Sequence, residues 1–227
     1  MVSFTFSRIY IFTFLPLVLG TFYYLLNRRD LAKADIFEQY IIFYFALGVA
    51  GSGIGNFFSH FFMSDIVAES IGWTPGSPFQ LEVAFTNLAI GLLGLIAVSR
   101  KDGFREASVI AATVFAVGAT IVHFMDIIET GNLSPGNSIQ NIANILKPAI
   151  LIFLLSGIRR LQKNGFEPNH YAGSSVIRHL SIGAGVITAL SATAVALGFA
   201  FEMPALMSVI ATAASLAIVA IISKRGG

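Results

Sequence analysis

Two histidines and a set of carboxylates stand at related positions in this chain. His60 is followed by Asp65 and Glu69, His123 by Asp126 and Glu129, and Glu82 lies between the two groups. His123, Asp126 and Glu129 are spaced by three, so each successive pair shares roughly one face of a helix, and Asp65 and Glu69, spaced by four, do the same. His60 and Asp65 are five apart, so the chain must bend before both can point inward. Two imidazoles among several carboxylates form a donor set that iron, manganese, zinc or copper accepts. The pattern partly matches the di-metal carboxylate bundles, although here the order is His-x-x-Asp. The competing expectation is that the acids are solvated at helix ends and the histidines bond to buried partners.

A second group is polar but mostly uncharged. Gln140, Asn141, Asn144 and Lys147 recur at intervals of one, three and three, just before Pro148, and Gln80 and Asn87 take comparable places earlier in the chain. Lys147 lies about 12 Å into its helical segment at 1.5 Å per residue. An ammonium at that depth is neutral, snorkelling or paired. Glu82, Asp126 and Glu129 are the expected partners. One reading makes Lys147, with these amides, a relay or anion-binding group; the other makes it half of a salt bridge that fixes the bundle.

The elements that must position these groups are membrane helices. Of 227 residues, 56% are apolar and 11% charged, and mean hydropathy is +0.79. A single soluble domain of this length has too little interior for that apolar share. The absence of cysteine removes disulfide frameworks, iron–sulfur centres and thiolate metal sites. A net charge of +2 gives no argument for nucleic acid. Stretches of roughly 20 apolar residues predict seven transmembrane helices. They run over residues 9–26, 39–63, 82–98, 108–128, 139–158, 180–200 and 205–222. With seven spans, all of the 14 Lys and Arg residues except Arg8 and Lys147 fall on one side. That side is expected to be cytoplasmic, which puts the N-terminus outside and the C-terminus inside. The opposite loops carry Asp65, Glu69, Glu82, Asp126 and Glu129 with no Lys or Arg.

Spans 2–3 and 4–5 resemble one another. His60-Phe61-Phe62-Met63-Ser64-Asp65 answers His123-Phe124-Met125-Asp126, and Pro75-Gly76 with Gln80 answers Pro135-Gly136 with Gln140. Both copies would run in the same sense, so the repeat is parallel and predicts a four-helix core with His60 and His123 at equivalent places. The domain plan is then residues 1–35 for the first span and its loop, 36–160 for the repeat core, and 161–227 for a C-terminal two-span hairpin. Small residues at four-residue spacing on spans 6–7, such as Ser181, Gly185, Ala189 and Thr193, suit close packing on the core or in a homo-oligomer. In span 2, Gly51 and Gly55 suit close packing likewise. Trp73 reads first as an interfacial anchor, with a lid formed by the Trp73–Phe79 loop as the alternative.

The stretch from His60 to Asn87, with Ile71-Gly72-Trp73, Gly76-Ser77-Pro78-Phe79-Gln80 and Glu82, resembles a motif of a bacterial family of polytopic membrane proteins of unknown function. The resemblance covers spans 2–5 and implies a multi-span inner-membrane protein, with no activity, ligand or residue role attached. Three functions follow from the residues themselves. The first is a metal-dependent membrane enzyme or metal-binding protein; the second is a proton- or ion-coupled transporter or channel using the same residues as a relay. The third is a structural subunit of a membrane complex.

Overall fold

The computed structural model describes residues 10–29 and 31–168; the expected spans 6 and 7 lie outside the described residues. The described chain is all helical, with six helices. Four of them are long and apolar enough to cross a membrane.

A π-helical turn, Tyr10–Phe14, leads into α1 (Leu15–Asn27), with Pro16 in its first turn, where a missing N–H costs nothing. This first apolar helix is shorter than the four long ones. The second, α2, spans Lys33–Phe62. Its middle, Tyr44–Gly51, is wound as a π-helix and is buried along its whole length. The helix halts at Met63, whose φ of −136° leaves the helical region, and resumes as the short α3 (Ser64–Ile71). Gly72, at φ 82°, ends α3 in the left-handed conformation that glycine adopts at little cost. Pro75 and Pro78 then keep the chain out of helix until α4 (Phe79–Ala97).

Asp102 starts α5 (Gly103–Thr130), its carboxylate accepting from the Phe104 amide at 3.1 Å. Gly131 closes that helix at φ 73°. After a tight turn, α6 (Gln140–Lys163) carries the chain back, with Pro148 inside it.

The packing of α2 on α4 is closest at glycines. A Cβ on Gly53 would stand 2.7 Å from the backbone of Asn87 and Gly91, so the two helices touch backbone to backbone there. The apolar core is built mainly from the middle of α2 with Leu95, Val98 and Val109, and Leu151, Leu154, Leu155 and Ile158 of α6.

The opposite end of the bundle holds an ion pair that sequence reading did not single out. Arg105 and Glu38 are 2% and 1% exposed and pair through two parallel bonds of 2.7 and 2.8 Å. Arg105 Nε also donates to the Ala97 carbonyl at 3.1 Å, where α4 ends and its last carbonyls lack helical partners. A side chain counted above among the loop basics is thus the buried link between α2, the end of α4 and the start of α5.

Candidate functional site

At the end of the bundle where α2 and α5 finish and α4 and α6 begin, the helices enclose a cavity of about 430 Å³. Its polar wall is made of Asn56 and His60 from α2, Gln80 and Asn87 from α4, His123 from α5, and Gln140 and Asn144 from α6. Among the described residues lining it, none is Asp, Glu, Lys or Arg. The two histidines and the polar residues Gln80, Asn87, Gln140 and Asn144 do share a site, but the acids are not part of it.

Both imidazoles are oriented by amides. His60 Nδ1 lies 2.6 Å from Gln80 Oε1, and His123 Nδ1 lies 2.7 Å from Asn137 Oδ1. The Asn137 amide has a defined direction, because its Nδ2 donates to Asp126 Oδ2 and to the Asn132 carbonyl, each at 2.8 Å. Its oxygen therefore faces His123 and can only accept, so Nδ1 carries the proton; when the ring is neutral, Nε2 holds the lone pair. Trp73 stacks on His123, with ring centroids 5.5 Å apart and planes inclined by 25°.

Asp126 is the hub of the loops above the cavity. Its Oδ2 accepts from Trp73 Nε1 at 2.9 Å, Asn132 Nδ2 at 2.7 Å and Asn137 Nδ2 at 2.8 Å. This one carboxylate joins the α3–α4 loop to the α5–α6 loop and, through Asn137, holds His123. The loops also touch through backbone: Gly136 N donates to the Ser70 carbonyl at 3.0 Å, and a Cβ on Gly136 would lie 2.7 Å from that oxygen. Gly76, the matching glycine of the first hairpin, has open space around it and is instead used for its φ of 88°. Its amide donates to Asp65 Oδ1 at 3.0 Å.

The seven expected metal ligands do not assemble into one donor set. Among the described residues no three His, Asp or Glu side chains come close enough to hold a metal ion. Glu69, Glu82 and Glu129 are exposed, and so is Asp65, while Asp126 is committed to N–H donors. Shared level on the helices, which spacing revealed, is not shared direction. Asn141 is buried and donates to the Asn137 carbonyl at 2.9 Å, outside the cavity wall. Lys147 is also outside it, with its ammonium 5.9 Å from the centroid of the Phe12 ring, a cation–π distance.

Spacing arguments did not single out Asn56, which lines the cavity with Trp73, nor Asn132 and Asn137, which bond to Asp126. The available signal was the density of Asn, Ser, Pro and Gly over residues 131–138, a polar turn too rich in side-chain amides to be only a connector. Trp73, read above as an interfacial anchor, is half-buried and bonded through its indole N–H.

The chain belongs to a family of unknown function, DUF6790, whose model matches residues 7–164. The matched region includes the cavity and every described helix. No curated protein and no solved structure matches the chain.

Proposed function

We propose that this DUF6790 member is a membrane protein that binds a small, uncharged, hydrogen-bonding molecule in the cavity between His60 and His123. The observation that carries this reading is the composition of the wall: among the described residues, seven amide or imidazole side chains and no Asp, Glu, Lys or Arg surround about 430 Å³. Such a volume lies within the ~300–1,000 Å³ of small-molecule sites, which pair an apolar lining with a few placed polar groups. Amides and neutral imidazoles offer donors and acceptors without net charge, so they suit a neutral ligand better than an ion. Binding, alone or as a step in transport, is favoured over metal-dependent catalysis because the carboxylates point elsewhere.

The wider reading is a seven-span protein of a bacterial inner membrane, N-terminus outside. The alternation of basic loops supports it, as do the four helices of membrane-crossing length. The internal repeat is supported by the two histidines meeting in one cavity with an amide oxygen at each Nδ1. Its symmetry is imperfect, since Gln80 plays this part in one hairpin and Asn137 in the other. Homo-oligomerisation through spans 6–7 is a further proposal from their small-residue faces.

The test separates a neutral ligand from a metal. Trp73 is the only tryptophan and lines the cavity, so its emission reports occupancy directly. Purified protein should carry no stoichiometric iron, manganese, zinc or copper, and its emission should respond saturably to neutral carbonyl or amide compounds. Stoichiometric metal that disappears in His123→Ala would overturn the reading in favour of a metal centre.

A further inference from the structure

The cavity has a second property that concerns how a ligand arrives. Its α5 wall is the stripe Val114, Gly118 and Val122, at four-residue spacing on one helix face. Val114 is 67% and Val122 50% exposed, so the same side chains line the cavity and face the surroundings of the bundle. A Cβ on Gly118 would meet nothing within 4 Å. On the opposite lip stand Phe79, which is exposed, and Val83 of α4. Among the described residues, the cavity is therefore open sideways between α4 and α5 through an apolar mouth.

Depth gives this mouth its meaning. Gly118 precedes the α5 terminus at Thr130 by twelve residues, roughly 18 Å at 1.5 Å per residue. In a hydrocarbon layer about 30 Å thick, that places the opening at acyl-chain depth. Polar solutes in water do not approach a protein there; molecules dissolved in the bilayer do.

Two polar groups in the wall are available to such a molecule. Gln80 is 4% exposed, and its Oε1 faces His60; among the described residues nothing hydrogen-bonds to its Nε2. His123 is 8% exposed, with Nδ1 held by Asn137; among the described residues nothing hydrogen-bonds to its Nε2. One is a donor and, in the neutral ring, the other an acceptor, and both residues line the cavity.

We propose that the ligand is an uncharged amphiphile, a carbonyl- or hydroxyl-bearing head on a hydrocarbon tail, which enters from the bilayer between α4 and α5. The head takes a hydrogen bond from Gln80 Nε2 or gives one to His123 Nε2, and the tail leaves over Gly118. This rests on the reading of the cavity as a binding site for a neutral molecule. It adds the membrane phase as the source, the tail as a recognition element and the α4–α5 gap as the route.

The test uses the purified full chain in one detergent and reads Trp73 emission with three probes. These are a decyl-tailed benzoquinone, the same quinone head without the tail, and decanoate as a tail with a charged head. Each is titrated into the wild type, Gly118→Leu and Gln80→Leu. Partition of a probe into detergent is the same for all variants, so differences between them belong to the site.

The tailed quinone should quench the wild type saturably, with affinity reduced about tenfold in Gln80→Leu, as expected for loss of one contact of about 1.4 kcal/mol, and by a similar factor in Gly118→Leu, where the new side chain takes the tail's place. The tail-less quinone should weaken in Gln80→Leu and be unchanged in Gly118→Leu. Decanoate should displace neither quinone. Should Gly118→Leu fail to yield folded protein, Val122→Phe narrows the same mouth.

If the tailed quinone binds the narrowed variant as well as it binds the wild type, the tail does not lie in the α4–α5 gap and the inference is wrong, while the cavity reading stands. Displacement by decanoate would overturn the requirement for an uncharged head. If neither quinone quenches saturably, the cavity reading fails along with the inference.

Discussion

The buried pair between Arg105 and Glu38 gives the sharpest test of how the bundle is held. The perturbation is a double-mutant cycle of Glu38→Leu, Arg105→Met and the two together. Both side chains are essentially without exposure and meet through two bonds of 2.7 and 2.8 Å. Removing one partner strands a charge in a region that cannot solvate it, a cost of about 3–5 kcal/mol. Arg105→Met also removes the donor to the Ala97 carbonyl, adding about 1 kcal/mol, so it should be the worse of the two single changes. The double variant strands nothing and fills the space with apolar atoms. Substitutions of that kind are often neutral, so its loss should be no more than about 2 kcal/mol. For a chain of this length 1 kcal/mol corresponds to about 2–4 °C, so each single change should lower the unfolding midpoint by about 6 °C or more and the double by less. Thermal unfolding in one detergent, followed by far-ultraviolet circular dichroism and by Trp73 emission, measures all three. A double variant that loses the sum of the two single losses would refute the argument, because the charges would then not be acting on one another.

Three other outcomes follow from the geometry. Gly53→Ala should force α2 and α4 apart and destabilise by about 1–3 kcal/mol, since its new methyl meets backbone that cannot rotate away; unfolding midpoints check this. Asp126→Ala should free Trp73, Asn132 and Asn137 together, seen as a shift in Trp73 emission and faster amide exchange in both loops at that end, with the helices retained. The hydrogen bond from Arg100 first, with the Phe104 amide, holds the Asp102 carboxyl below its ordinary range. A carboxylate depressed on folding stabilises at pH above its unfolded value and loses that contribution as pH falls through the lowered folded value. The start of α5 should thus loosen only in acid, and amide exchange at residues 103–106 should lose that acid dependence in Asp102→Ala.

How much of this was legible beforehand depends on the kind of information each feature needs. Apolar run lengths determine helices, and the long ones at residues 33–62, 79–97, 103–130 and 140–163 coincide with the expected spans 2–5, although α2 starts six residues and α5 five residues earlier than expected, and α6 ends five residues later. The punctuation was not read in advance: α3 and α5 close at Gly72 and Gly131, where a residue without a Cβ adopts positive φ cheaply. Spacing also identified His60, His123, Gln80, Asn87, Gln140 and Asn144, which do line one cavity.

What spacing could not supply is direction across helices. Residues at one level of a bundle point anywhere around their own axes until packing fixes each helix's rotation, and here the backbone contact at Gly53 and Gly91 fixes that of α2 against α4. On α5, Asp126 turns to Trp73, Asn132 and Asn137, 53 residues before it and six and eleven residues after it, and leaves the metal set that one-dimensional spacing had drawn. Arg105 and Glu38 are the same lesson at the other end: 67 residues apart, they read as a loop cation and an unremarked acid, and only tertiary packing buries them together. The sequence by itself determined the four long helices and which polar residues stand at the cavity's level. The tertiary structure decided which of those groups face one another, because a helix's azimuth is set by its neighbours and not by its own residues.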